Sequence, residues 1–358
     1  MTHVGIFPAV GSGLGSMAAT GQLERLYVHL SAYTDRGALT YHTYGDYADE
    51  RHLWERFYRQ TGANLVAAGP DDGLRGALLW PWRDARRFKT LDVCRVMSLR
   101  GAPPVLMAYW LWRVPFVVSL GNDYPGINRL HGRSTWKIRW LERCIARWAA
   151  AIFVNNKARA DRMRRTNPRV HHVPSWVDLD RFRPDVPRAL ARNRQRRRLL
   201  YVGRLVVEKN LIPVAQVARA ADLEFVCLGA GPEEDALRRA GAACLGVVPW
   251  EELPGWYTSA DAFILPSFLE GHPKALLEAL ACGVPSFLST TLDGCRDLPG
   301  ARFSPDDMPA LARAFRSASW ASSCRPSLQT VAPFARELVL PREVALVEQL
   351  CQSATRCA

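Results

Sequence analysis

A chain of 358 residues, 48% hydrophobic and 23% charged, is long enough for two domains of ordinary size and fits a soluble globular protein. No apolar run reaches membrane-spanning length, since the best candidate, Pro103 to Leu120, is broken by Arg113 and Pro115, and without a cationic head at the N-terminus no signal peptide is expected. The net charge of +13 is unevenly placed, residues 129–169 alone holding 12 basic against 2 acidic side chains. Nine cysteines, with no CxxC and no histidine at metal spacing, point to a reducing cytoplasm and buried free thiols rather than to disulfides or zinc.

Val4 to Phe7, followed by Gly11, Ser12, Gly13 and Gly15, reads as a strand and a glycine-rich turn leading into a helix through Leu30. Glycines let a backbone approach a ligand closely, but Ser16 stands where a G-x-G-x-x-G pattern wants glycine. A tight strand-to-helix turn accounts for these residues as well as a ligand does. Further strands are expected at Ala38 to Tyr44, Leu65 to Ala68 and Pro115 to Leu120, separated by polar stretches of helix length. That alternation predicts a mostly parallel sheet with helices on both faces. Ligands gather at the carboxyl ends of such strands, which makes Asn122 and Asp123 cleft candidates.

Ser134 to Ala151 reads as a helix carrying Trp136, Lys137, Arg139, Trp140, Arg143 and Arg147, with Ile138, Leu141, Ile145 and Ala149 on a stripe that can face the core. Basic residues among tryptophans suit an anionic bilayer surface, where indoles sit at headgroup depth. A solvated structural helix is the alternative. No nucleic-acid motif accompanies the patch, so nucleic acid is not an expected partner.

The Arg-rich stretch Arg183 to Arg198 reads as an exposed connection. Leu199 then begins a buried strand that ends in a basic loop with Gly203, Arg204 and Lys209. A guanidinium and an ammonium there can clasp a diphosphate from two directions, or be a plain surface pair. Phe225 to Pro232 is another strand with a glycine turn at Gly231, followed by a helix from Glu233. Ala262 to Ser267 reads as a buried strand ending in a turn; Pro273 suits the first helical position, and Gly283 with Pro285 closes that helix. Glu270 is then on the loop at the helix entrance and Glu278 in the second turn. Backbone N–H groups and the dipole favour an anion there, while carboxylates can hold neutral hydroxyls beside it. Phosphate and hydroxyls together describe a sugar nucleotide, although two glutamates at this spacing also occur by chance in ordinary helices. Glu337 to Gln352 forms a last helix.

Taken with its flanks, the stretch Glu270, Gly271, His272, Pro273 and Lys274 through Glu278 to Pro285 resembles the E-x7-E motif of the retaining glycosyltransferases of family 4, enzymes of the GT-B fold. Leu199 to Asn210 is similar to the family's V-G-R-L-x-x-x-K-N segment in order and spacing. His172 to Phe182 looks like the P-N-G-V-D-x-x-x-F passage between the domains, with Ser175 and Trp176 replacing Asn-Gly. Asp178 and Asp180 also form a D-x-D, which binds a metal in another glycosyltransferase fold; the flanks match the passage, so the metal reading is rejected. Gly121 to Asp123 looks like the H-G-x-D loop, with Leu120 at the histidine position. The resemblance is strong from Leu199 to Thr291 and colinear elsewhere.

The resemblance implies an α/β, GT-B architecture of two Rossmann-like doubly wound domains facing an interdomain cleft. Residues 1–181 would be the acceptor side, with the C-terminal helix 337–358 packing back on it, and residues 186–336 the nucleotide-sugar-binding domain. The implied reaction moves a sugar from a UDP- or GDP-sugar with retention, needing neither metal nor cofactor. Arg204 and Lys209 would stabilise the departing diphosphate, Glu278 hold ribose hydroxyls, and Glu270 the sugar near C3 and C4. Gly203, Gly231, the backbone of Val247, Gly271, Pro273 and Lys274 would complete the donor site. His272 would lie against sugar or phosphate, or simply occupy the helix N-terminus. Gly11, Ser12, Gly13 and Gly15 would face the donor phosphates and the acceptor, with Asn122 and Asp123 on the acceptor side. Family members acting on lipid-linked acceptors often dock through the N-terminal domain. The expectation is therefore a cytoplasmic enzyme, peripheral on the inner membrane face, extending a glycan or polyprenyl-linked acceptor in cell-surface polysaccharide or glycolipid synthesis. Two alternatives stay open: a donor-binding module without catalysis, and a soluble sugar-nucleotide synthase or isomerase on the same fold.

Overall fold

Short apolar runs alternating with helix-length segments do fold as two parallel sheets. The computed structural model describes residues 2–44, 47–67, 73–165, 167–191, 195–316 and 326–355. Packing divides the chain into a first unit of Met1–Gly121, Arg133–Val173 and Leu340–Ala358 and a second of Asn122–Gly132 and Pro174–Val339.

In the first unit the strands are β1 (His3–Phe7), β2 (Ala38–Thr43), β3 (Asn64–Ala67), β4 (Val93–Val96), β5 (Phe116–Ser119), β6 (Ala151–Val154) and β7 (Val170–His172), in the order β3-β2-β1-β4-β5-β6-β7. The second has β8 (Arg198–Val202), β9 (Glu224–Leu228), β10 (Ala243–Cys244), β11 (Ala262–Leu265), β12 (Ser286–Ser289) and β13 (Ala301–Phe303), in the order β10-β9-β8-β11-β12-β13. All the pairings are parallel. Helices on both faces bury such strands entirely, and Ala262, Phe263, Ile264 and Leu265 accordingly form an unbroken buried run.

Several expected boundaries move. The single helix through Leu30 is two, Leu14–Ala19 and Leu23–Thr34, parted at Gly21, whose φ of 64° no helix accommodates. The helix expected over Ser134 to Ala151 is Trp136–Trp148; Ala149 is already extended, and the buried run from Ala151 is strand β6. Arg198 belongs to β8 rather than to an exposed connection, because its guanidinium is buried against Glu224 at 2.9 Å. Ala68, expected to end a strand, lies outside the described residues. The C-terminal helix is Arg336–Thr355, whose residues from Leu340 onward pack within the first unit. No helix among the described residues is long and apolar enough to cross a membrane.

Candidate active site

In a parallel sheet of order 3-2-1-4-5-6 the connections leave the first and fourth strands in opposite directions, opening a crevice at their carboxyl ends where ligands bind. In the second unit those strands are β8 and β11, aligned through Leu199 with Ala262 and Leu200 with Phe263. The loop after β8 carries Gly203 and Arg204 and then a short turn, Val207–Lys209. The loop after β11 carries Ser267, Glu270, Gly271 and His272 and leads into the helix Lys274–Ala281.

The two loops are joined side chain to side chain. Lys209 Nζ donates to Glu270 Oε1 at 2.5 Å, and Ser267 Oγ donates to the same oxygen at 2.8 Å. With side chains only 12% and 13% exposed, this pair is less screened than a surface ion pair. Next to it, the buried Glu208 carboxylate accepts from Arg204 Nη2 and His131 Nε2, both at 3.3 Å, while the backbone of Glu208 accepts from Phe268 N at 3.0 Å. The Arg204 side chain remains 63% exposed. Burial, reinforced by the Glu270 carboxylate, holds the Tyr201 phenol well above its ordinary range, so it stays a donor, here to Arg204 O at 3.0 Å.

Glycines close the turns around these groups. A Cβ at Gly229 would lie 2.0 Å from Gly203 O, and one at Gly231 would lie 2.2 Å from Leu205 O, so the turns after β8 and β9 meet backbone on backbone. Gly229 N in turn donates to Gly246 O at 2.7 Å, which ties in the loop carrying Val247, 38% exposed.

Pro273 caps the helix with extended geometry rather than opening its first turn, and Gly283 ends it at a φ of 72°. The fifth residue of that helix, Glu278, is buried: Trp250 Nε1 donates to Oε1 and Tyr257 OH to Oε2, each at 3.1 Å. His272 is also buried, with Ser175 N donating to Nδ1 at 3.2 Å, Ser175 Oγ donating to the His272 carbonyl at 2.6 Å, and Phe334 against the ring. Lys274 Nζ sits 5.6 Å from the Trp176 ring centroid. Gly203, Arg204, Lys209, Gly231, Glu270 and Gly271 therefore gather around one crevice, whereas Glu278 and His272 have partners within the protein.

The remaining candidates are held by local contacts. Gly15 N donates to the buried Glu50 carboxylate at 2.8 Å, Gly13 N to Ser16 Oγ at 3.1 Å, and Ser12 N to Ala9 O at 2.9 Å, with Gly11 at a φ of 80°. Asp123 caps the helix Tyr124–Leu130 by accepting from Gly126 N at 3.1 Å, and Asn122 precedes it. Leu120 is core, 1% exposed. Trp136, Lys137, Arg139, Trp140, Arg143 and Arg147 are all exposed, the tryptophans 64% and 54%, with Ile145 buried beneath them.

Sequence reasoning passed over Ser267, Glu208, His131, Trp250 and Glu50. Glu208 adjoins Lys209 and could have been read with it. His131 carried no such signal, being 77 positions from its partner.

Residues 196–319 match the family model described as glycosyl transferases group 1. The teichuronic acid biosynthesis glycosyltransferase TuaC of Bacillus subtilis, itself putative in its name, is 23% identical over 274 residues, 73% of this chain and 69% of that protein. A GDP-mannose-dependent alpha-(1-6)-phosphatidylinositol monomannoside mannosyltransferase of Mycolicibacterium smegmatis is 35% identical over 143 residues, 32% of this chain and 37% of that one. The sucrose-phosphate synthase structure from Thermosynechococcus elongatus superposes with a TM-score of 0.74 at 16% identity, covering 99% of this chain and 100% of that chain.

Proposed function

We propose that the chain, which matches the glycosyl transferases of group 1 through residues 196–319 and is built on a GT-B-type pair of Rossmann-like units, moves a sugar from a UDP- or GDP-sugar to a glycan or polyprenyl-linked acceptor, with retention at the anomeric carbon and no metal. The observation that carries this reading is the Lys209–Glu270 pair across the crevice between β8 and β11. A diphosphate placed there meets an ammonium held at the crevice floor and an exposed guanidinium, Arg204, that can swing to it. Both offset the charge that builds on the leaving nucleotide. Glu270, fixed by Ser267 and Lys209, keeps lone pairs for sugar hydroxyls. The name of the M. smegmatis relative puts GDP-mannose first among the donors to test.

The test is a thermal-shift panel of UDP, GDP, ADP and their sugar conjugates on wild type and Lys209→Ala. Stabilisation by one nucleotide series that the substitution removes supports the reading. No stabilisation of a folded wild type sinks it.

The same proposal places the protein on the inner face of a membrane, as a peripheral cytoplasmic enzyme. The exposed indoles and cations of the Trp136–Trp148 helix support that placement. One observation favours a second reading, a donor-binding module without turnover: the position of the family histidine is filled by the core residue Leu120. Donor binding without transfer or donor hydrolysis would distinguish it.

A further inference from the structure

We propose that His131 is a positioning residue for the donor diphosphate, acting through Glu208 on Arg204; this rests on the donor-site reading above. The segment Asn122–Gly132 comes from the N-terminal half of the chain but packs with the second unit. Its helix, Tyr124–Leu130, is seated at both ends. At the first, Asp123 caps Gly126, and a Cβ on Gly126 would lie 3.1 Å from Leu269 Cδ1, one residue before Glu270. At the other, His131 puts Nε2 3.3 Å from Glu208 Oε2. The helix thus spans from the Glu270 loop to the Glu208 loop.

Glu208 is the group that needs this partner. Its side chain is 6% exposed, and its backbone carbonyl accepts from Phe268 N. A buried carboxylate must be matched by donors. Oε1 has Arg204 and Oε2 has His131. Of the two donors Arg204 is the more open to solvent, 63% exposed on its side chain against 28% for His131. A diphosphate that draws the guanidinium away leaves Glu208 with the imidazole N–H, and Arg204 is released without stranding a buried charge. Without His131, Glu208 holds Arg204 more tightly and competes with the diphosphate for it. The Glu208 charge is also felt at Glu233, whose carboxyl is raised above the ordinary range by burial and then by Glu208.

Calorimetric titration of UDP and of GDP into wild type, His131→Ala, His131→Gln, Glu208→Gln and the His131→Ala/Glu208→Gln pair tests the proposal. His131→Ala is expected to weaken nucleotide binding about tenfold, the loss of one charge-assisted hydrogen bond, with the donor KM rising more than kcat falls. His131→Gln, which keeps an N–H within reach, restores most of the affinity. In the Glu208→Gln background the alanine adds no further loss, because the charge it served is gone. Should His131→Ala fail to fold, His131→Asn, too short to reach Glu208, takes its place with the same expectation. Wild-type affinity in His131→Ala, equal weakness in the glutamine variant, or additive losses in the pair would each overturn the role of His131 while leaving the donor site standing. A wild type that binds neither UDP nor GDP overturns the donor site and this proposal together.

Discussion

Arg95 on β4 and Glu343 on the C-terminal helix, 248 positions apart, meet at 2.7 Å with side chains 3% and 4% exposed. Tyr33 OH donates to the same Glu343 oxygen at 2.8 Å and His29 Nε2 lies 3.3 Å from it, so the carboxylate is matched from three sides. The guanidinium also donates to Ser119 Oγ and the Val96 carbonyl and lies over the Phe153 ring. This cluster fastens the end of the chain to the first sheet.

Breaking that pair leaves an unmatched buried charge, so Glu343→Ala is expected to cost about 3–5 kcal/mol of stability in denaturant unfolding. Replacing both partners, Arg95→Met with Glu343→Leu, should recover a good part of it. A single alanine variant as stable as wild type would remove the cluster from the account of stability.

The same pair sets a pH dependence. Burial alone would raise the Glu343 carboxyl, but Arg95 and His29 outweigh it and hold the group well below the ordinary carboxylate range. A carboxyl depressed in the folded state contributes stability that is fully present above its unfolded pKa, about 4, and is lost as pH falls from there towards the folded value. Melting of wild type and Glu343→Gln across pH 7 to 3 should show a gap that is constant above that range and narrows below it.

Glu278 offers a test of what its burial means. Tyr257→Phe and Trp250→Phe each remove one donor from a buried carboxylate and should cost about 1–3 kcal/mol, visible as a melting temperature lower by at least ~2 °C before any nucleotide is added. If both variants melt like wild type, the two contacts do not secure the carboxylate. If they melt lower yet bind nucleotide normally, Glu278 serves the fold at that position.

Glu270→Gln keeps the shape of the crevice and removes one charge. Turnover should fall on the order of 10²–10³, the scale of one lost electrostatic contact to a reacting centre, and the melting temperature should drop as well, since Lys209 loses the charge that matches it. Wild-type kcat in this variant would remove Glu270 from the chemistry.

For the exposed cationic helix, combining Arg139→Ala, Arg143→Ala and Arg147→Ala should weaken binding to vesicles rich in anionic lipid by about a hundredfold, at ~1 kcal/mol per basic residue, and flatten its salt dependence. Equal sedimentation with and without the three arginines would return the helix to a solvated structural role.

Much of the fold was legible locally. Apolar runs such as Leu199 to Val202 and Ala262 to Leu265, bounded by glycine or proline, announce buried parallel strands because such strands are covered on both faces. The loops bearing Arg204, Lys209 and Glu270 were legible for a related reason: a ligand-binding loop is written in a few neighbouring residues. The strands β4, β6 and β7 escaped for separate reasons: Arg95 interrupts the apolar run of β4, Ala151 at the start of β6 continues the preceding helical pattern, and the 3 residues of β7 are too short for a period to show. The tightly laced Gly11 to Gly15 turn was ambiguous, since a glycine permits both a ligand's approach and a plain turn.

The sequence by itself determined the alternation of strand and helix and which loops carry charge, since both depend on spacing within a few residues. Only the tertiary structure decided partners. Strand order brings the loops after β8 and β11 together, so Lys209 finds Glu270 across 61 positions, and Arg95 finds Glu343 across 248. It also decided that Glu278 lies beneath Trp250 and Tyr257 and that Glu208 shares His131. A buried carboxylate must find donors, and which donors reach it depends on how the chain packs, which no local period encodes.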